Sequence, residues 1–178
     1  ELKHAVFLEK EVDKSYFPDE CLQVINNEKD YFYSRFVECM KQVEEDNIMY
    51  MQEDFVLYDD ANIEWMKKVQ DFLNNSKYSF VRLIKSGVEG GNNISSDLKL
   101  WEVPRNSQYV FSCNSAIWKR EDFIKLFEFY KPKTILESEL YGSHASRILG
   151  IEGCYVYDNE PKRGGLHYDS SIFPYISS

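Results

Sequence analysis

The sequence predicts one α/β domain, residues 1–178, in which helices flank a mixed, mostly parallel sheet. Short apolar runs alternate with amphipathic stretches along most of the chain. Asn, Gly and Pro clusters separate them, with no interdomain linker and no internal repeat. At 178 residues and 43% hydrophobic content, the chain is long enough to bury one core without staples.

Ala5 to Leu8 reads as a buried strand, and Asp13 to Asn27 as irregular, with Pro18 and Asn26-Asn27 marking turns. Asp30 caps an expected helix that lines up Phe32, Phe36, Met40 and Val43 on one face before the polar stretch Glu44 to Asn47. Ile48 to Met51 is a second short strand, followed by Gln52-Glu53-Asp54 and the apolar Phe55-Val56-Leu57. Ile63, Met66, Val69 and Leu73 recur at helical spacing across Asn62 to Leu73, and Asn74-Asn75-Ser76 ends that helix. Tyr78 to Ile84 alternates and is rich in β-formers.

Ser86 to Asp97 is loop, either a mobile lid over a site or a plain surface connection. Lys99 to Val103 and Gln108 to Cys113 are expected strands. Lys119 to Tyr130 is a helix with Phe123, Leu126 and Phe127 inward, stopped by Pro132. Ile135 to Leu149 is a helix ended by Gly150. Cys154 to Tyr157 is the last strand, and the tail from Asn159 is loop.

A net charge of -9 opposes a nucleic-acid-coating role, which needs a basic face; it leaves room for a small phosphate ligand held by a divalent cation, and a surplus of carboxylates is what a hard-metal site would use. Cys21, Cys39, Cys113 and Cys154 are scattered without a CxxC pair, which favours buried reduced thiols over a zinc ribbon. Reduced thiols and the lack of a visible signal peptide or membrane span lead to an expected cytoplasmic location. The opening at Glu1 without methionine leaves room for upstream residues and any targeting information they carry.

Glu53 and Asp54 form the sharpest chemical feature. In open α/β sheets ligands bind beyond the carboxyl ends of strands, where this pair follows Ile48 to Met51. A cation that also holds a diphosphate needs only one or two protein carboxylates. The competing reading is a solvated turn in an acidic protein.

The run Ile48-Met-Tyr-Met-Gln-Glu-Asp-Phe-Val-Leu57 resembles the strand and acidic DxD motif of GT-A-type glycosyltransferases, the nucleotide-diphospho-sugar transferase superfamily. Here Gln52 stands where the first acid of DxD would be. The resemblance implies that Asp54 and Glu53 bind Mn²⁺ or Mg²⁺ on a nucleotide-diphosphate sugar donor, with Gln52 in the ribose position. Phe111-Ser-Cys-Asn-Ser-Ala-Ile-Trp-Lys-Arg120 is similar to the stretch that builds the acceptor side of the cleft. The following Glu139-Leu-Tyr-Gly-Ser143 resembles the helix start where inverting members place a general base; Glu137 is the alternative base.

His167, in Gly164-Gly-Leu-His-Tyr168, falls where many members carry a further metal ligand, and Lys162 and Arg163 would neutralise the departing diphosphate. Trp118 and Trp101 are either sugar-stacking platforms or core. Family members open with a base-binding strand ending in a Thr-Tyr-Asn-Arg-like run; Ala5 to Leu8 is a diverged version of it, or that strand is missing.

The expectation is therefore an inverting, metal-assisted hexosyltransferase that moves sugar to a hydroxyl of a glycan or other acceptor. The alternative is a non-catalytic α/β domain of the same ancestry that binds glycan or protein through an aromatic surface. A nucleotide-to-sugar-phosphate transferase ranks last, because no Gly-rich basic loop opens the chain.

Overall fold

The computed structural model describes residues 3–8, 10–18, 21–26, 31–52, 55–57, 59–85, 87–157 and 175–177. Its main element is a six-stranded sheet in the order β3-β8-β5-β9-β7-β6. These strands are β3 (Asn47–Tyr50), β5 (Phe80–Arg82), β6 (Asn93–Ser95), β7 (Leu100–Glu102), β8 (Ala116–Lys119) and β9 (Gly153–Val156). Two small sheets accompany it. β1 (His4–Leu8) pairs in parallel with β2 (Cys21–Ile25), and β4 (Phe55–Leu57) pairs antiparallel with β10 (Tyr175–Ser177).

The fold is α/β, but the sheet is mixed and mostly antiparallel, which corrects the expectation of mostly parallel strands. Within the six-stranded sheet β5–β9 is the parallel pair, whereas β3–β8, β8–β5, β9–β7 and β7–β6 are antiparallel. The reason lies in the connections. Parallel neighbours need a long crossover, but β6 and β7 are joined by the short turn 96–99, so they pair as a hairpin. Helices α3 (Arg120–Tyr130) and α4 (Ile135–Leu149) follow one another with no strand between them, which breaks the βαβ rhythm.

The central strands β8, β5 and β9 are buried on both faces. Alternate residues therefore feed two cores, and the segments read as continuous apolar runs. Phe80, Ala116, Trp118 and Tyr155 point to one side, where they meet α1 (Phe32–Lys41), α3 and α4 through Phe36, Met40, Phe123, Phe127 and Ala145. Val81, Ile117, Cys154 and Val156 point to the other and meet α2 (Ile63–Asn74) through Trp65, Met66, Val69 and Leu73. The result is helix, sheet and helix in three layers.

Local chemistry sets the helix ends. Asn62 caps α2 by accepting the Trp65 N–H, and Thr134 caps α4 by accepting the Glu137 N–H. Gly150 ends α4 in the left-handed conformation at φ 69°. α1 ends at Lys41, with Gln42 as its C-cap, so Val43 is not on the helix face the spacing suggests. The expected cap Asp30 lies outside the described residues.

Inside α4, Gly142 lets the helix approach Phe111 closely: a Cβ there would stand 2.4 Å from the ring. The expected loop at 86–97 is not a free flap among its described residues. It contains β6, its Val88 is fully buried in the core, and the Gly90 carbonyl accepts the Tyr155 hydroxyl at 2.8 Å.

Candidate functional site at the carboxyl rim of the sheet

Register defines one rim of the large sheet. Tyr50 pairs with Ala116, Ala116 with Arg82, Arg82 with Tyr155, and Tyr155 with Trp101. The outgoing ends of β3, β5 and β9 therefore share this rim with the incoming ends of β8 and β7. Gln52 lies two residues beyond Tyr50, and its carbonyl accepts the Phe55 N–H at 3.1 Å. The acids expected as metal ligands, Glu53 and Asp54, lie outside the described residues, as do Lys162, Arg163 and His167.

The flanks of those residues are nonetheless placed. Phe55, directly after Asp54, pairs with Ser177 at the chain's other end. Tyr157 lies two residues beyond Tyr155 on the rim, and its N–H donates to the Lys99 carbonyl at 3.0 Å.

Glu139 reaches the same rim by a different route. It sits in the first half of α4, and its Oε1 accepts the backbone N–H of Cys113 at 3.2 Å. Cys113 stands three residues ahead of Ala116, the residue paired with Tyr50. The stretch from Tyr109 to Cys113 is not the strand its alternation suggests. Side chains replace a ladder there: Arg82 Nη2 donates to the Tyr109 carbonyl at 2.8 Å and to that of Val110 at 3.3 Å. Ser143 Oγ accepts the Phe111 N–H at 3.0 Å and donates to its carbonyl at 3.2 Å. Three side chains from two elements thus fix the loop that carries Glu139's partner.

Glu137 points to different work. Its Oε2 accepts the Lys133 N–H at 2.6 Å while its own N–H donates to Thr134 Oγ1 at 3.2 Å, a reciprocal cap on the α4 N-terminus. Among the two acids, Glu139 is the one tied to the rim.

Trp118 is a correction. It is 2% exposed, stacked on Phe80 at 4.4 Å and on Phe123 at 4.5 Å, so both ring faces are already covered. It is core, and no sugar or nucleotide can lie on it. Trp101 is half-buried on β7, packed against the same core.

Two rim residues escaped the sequence reading. Arg82 is 1% exposed at the end of β5, a guanidinium buried against carbonyl groups. The signal was present, since a cation inside the apolar run Tyr78 to Ile84 is rare unless partnered. Lys85, three residues further, places its ammonium 4.7 Å from the centroid of the Tyr157 ring. The Lys85 ammonium therefore lies on the rim beside Tyr157.

Burial sets the ionisation of the nearby thiol. Loss of solvation pushes Cys113 up to about 12, so it is a neutral hydrogen-bonding group and not a nucleophile at neutral pH. Burial does the same to Cys154, also up to about 12. The pH dependence follows from the sign of these shifts. Unfolded thiols ionise near the ordinary value of 9.0, while the folded ones hold their protons until about 12. Unfolding between these limits releases protons, so the thiol contribution to stability is intact below about pH 9 and is lost as pH rises toward 12. Melting temperature is expected to fall by several degrees between about pH 8 and about pH 10.5, with a shallower fall in Cys154→Ala.

A groove of about 640 Å³ runs between α1 and α3, lined by Tyr33, Val37, Glu38, Lys41, Glu128 and Lys131 among others. The Lys41–Glu128 ion pair at 2.5 Å spans it, and none of its lining residues belongs to the rim. Among the described residues no three His, Cys, Asp or Glu side chains gather as for a metal ion. No helix among them is long and apolar enough to cross a membrane.

No protein-family model matches the chain, and no curated protein is significantly similar to it.

Proposed function

We propose that the chain is the sugar-transferring domain of an inverting, metal-assisted glycosyltransferase. The observation that carries this reading is the position of Glu139. Its carboxylate is tied through Cys113 to the same rim on which β3 leads into Gln52-Glu53-Asp54. Glu139 and the outgoing end of β3, far apart in sequence, thereby share one end of the sheet.

In this reading Glu139 removes the proton from an acceptor hydroxyl as its oxygen attacks the anomeric carbon. The bond from that carbon to the donor diphosphate breaks on the opposite face, giving inversion. Asp54 and Glu53, with His167, would hold Mn²⁺ or Mg²⁺, and two carboxylates with one imidazole are a donor set that suits either ion, Mn²⁺ better. The cation would neutralise charge on the diphosphate. Gln52 would contact the ribose, and Lys162 and Arg163 would steady the leaving diphosphate. The anchoring of Tyr157 on the rim and of Ser177 beside Phe55 supports bringing the intervening tail to the motif.

The test is donor binding. UDP- and GDP-sugars are titrated calorimetrically with and without Mn²⁺ into the natural chain and into Asp54→Ala. The expected result is Mn²⁺-dependent binding of one donor, weakened at least about tenfold in the variant. Equal binding by both proteins removes the metal role.

A second reading, a non-catalytic domain that binds a protein partner, is favoured by the apolar outer face of α4, where Leu136 and Leu140 are each 63% exposed. Slow hydrolysis of donor sugar by the purified chain separates the two, since only the transferase predicts it.

A further inference from the structure

One stripe of α4 holds an extended segment of chain that belongs to no sheet. Glu139, Ser143 and Arg147 follow one another at intervals of four, so they line one side of the helix. Arg147 Nε donates to the Arg105 carbonyl at 2.8 Å, and its Nη2 donates to that of Ser107 at 2.6 Å. One turn earlier, Ser143 clasps both backbone groups of Phe111. Cys113 closes the run: its N–H donates to Glu139, and its thiol lies 3.4 Å from the Ser138 hydroxyl. Residues 105–113 therefore run along α4 in the opposite direction, as a strap whose last fastening is Glu139.

Between the fastenings at Arg147 and Ser143 the strap is held from the sheet. Arg82 ends β5 in register with Ala116 and Tyr155, two residues past Phe80, and so projects from the face that meets α3 and α4. Its Nη2 is shared by the Tyr109 and Val110 carbonyls, and the residue is 1% exposed. Burying a guanidinium is costly, and an apolar residue of similar volume would fill the space without that cost. What an apolar residue cannot do is bind two consecutive carbonyls and fix the path of the chain there.

We propose that Arg82 is a positioning residue for Glu139. By fixing the carbonyls of Tyr109 and Val110 it sets where the Cys113 N–H, three residues further, meets the carboxylate. The kinetic consequence rests on the transferase reading. In that reading Oε1 is engaged by Cys113, and Oε2 is the oxygen that takes the acceptor's proton. Displacing a base by about 1 Å can cost about 10²-fold in rate, so a slack strap slows the chemical step before it affects donor binding.

Amide hydrogen exchange, followed by NMR on the whole chain, tests the hold directly. Arg82→Lys keeps a cation but loses the planar fork, and Arg82→Gln loses the charge. The reference is the Lys119 N–H, which donates to the Ser79 carbonyl at 2.8 Å beside the β5–β8 ladder. In either variant the acceleration at the Cys113 N–H is expected to exceed that at Lys119 by at least about tenfold. Ser143→Ala, which cuts the neighbouring fastening, is expected to give the same local pattern. Turnover of donor sugar is expected to fall about 10- to 100-fold in the Arg82 variants at unchanged KM for the donor. The proposal is overturned by natural exchange at Cys113 in both Arg82 variants, by equal acceleration of the two amides, or by failure of both variants to fold. Natural turnover in a variant whose Cys113 amide is loosened also overturns it. A natural chain that neither binds nor turns over donor sugar sinks the transferase reading instead, and the exchange rates still decide whether Arg82 holds the Cys113–Glu139 contact.

Discussion

Under the proposed function, Glu139→Gln is expected to lower turnover of sugar transfer by about 10²- to 10⁴-fold while leaving the fold unchanged. The substitution is informative because glutamine keeps a carbonyl oxygen where Oε1 now accepts the Cys113 N–H. The loop therefore stays anchored, and what is lost is the capacity to take a proton. Glu139→Ala removes both, so its extra loss of melting temperature over Glu139→Gln reports the anchor alone. Rates measured at saturating donor and acceptor separate the chemical step from binding. A Glu139→Gln protein with full turnover moves the base elsewhere. Glu137 is then the acid to test, although its carboxylate already serves the Lys133 N–H.

Trp118→Ala is expected to destabilise the fold by about 3–5 kcal/mol, lowering the melting temperature by roughly 10 °C. The indole is sandwiched between Phe80 and Phe123 and also meets Phe111 at 6.0 Å. Removing it leaves a cavity at the meeting point of sheet, α3 and the Tyr109–Cys113 loop, which rigid rings cannot fill. Thermal melts and donor titrations together decide its role. A core residue loses stability, while a stacking platform would lose donor affinity with stability retained.

Helices were the more legible part of the fold. Ile135–Leu149 is framed by Thr134 and Gly150, residues whose chemistry starts and stops a helix, and its bounds match the expectation. Strand existence was readable where a segment is buried on both sides, as in Phe80–Arg82. Strand pairing was not, because direction depends on which distant segment becomes the neighbour. Cys21–Ile25 was hidden by the Pro18 and Asn26-Asn27 turn signals around it. Gln108 to Cys113 alternates like a strand, yet Arg82, Ser143 and Glu139 take its backbone groups.

The same limit applies to the candidate site. That Gln52 follows a sheet strand was legible from apolar run and acidic triplet. Burial of Trp118 was not, since an aromatic in a partly polar segment fits both a core and a cleft. The convergence of Glu139 with β3 depends on β8 lying between β3 and β5, a fact of topology that no local pattern carries.

The place of β5 has a consequence for synthesis. Both of its hydrogen-bonding neighbours, β8 and β9, come later in the chain, and its parallel partner begins only at Gly153. A ribosome that has made the first half of the protein has released the sheet's middle strand with neither flank available. Closing so long a loop is entropically costly and slow, and Phe80 and Val81 meanwhile present bare edges and greasy faces. Chains stalled before Ala116 therefore expose a sticky template for their neighbours. Recombinant yield will depend on chaperone capacity and growth temperature more than on the stability of the finished molecule.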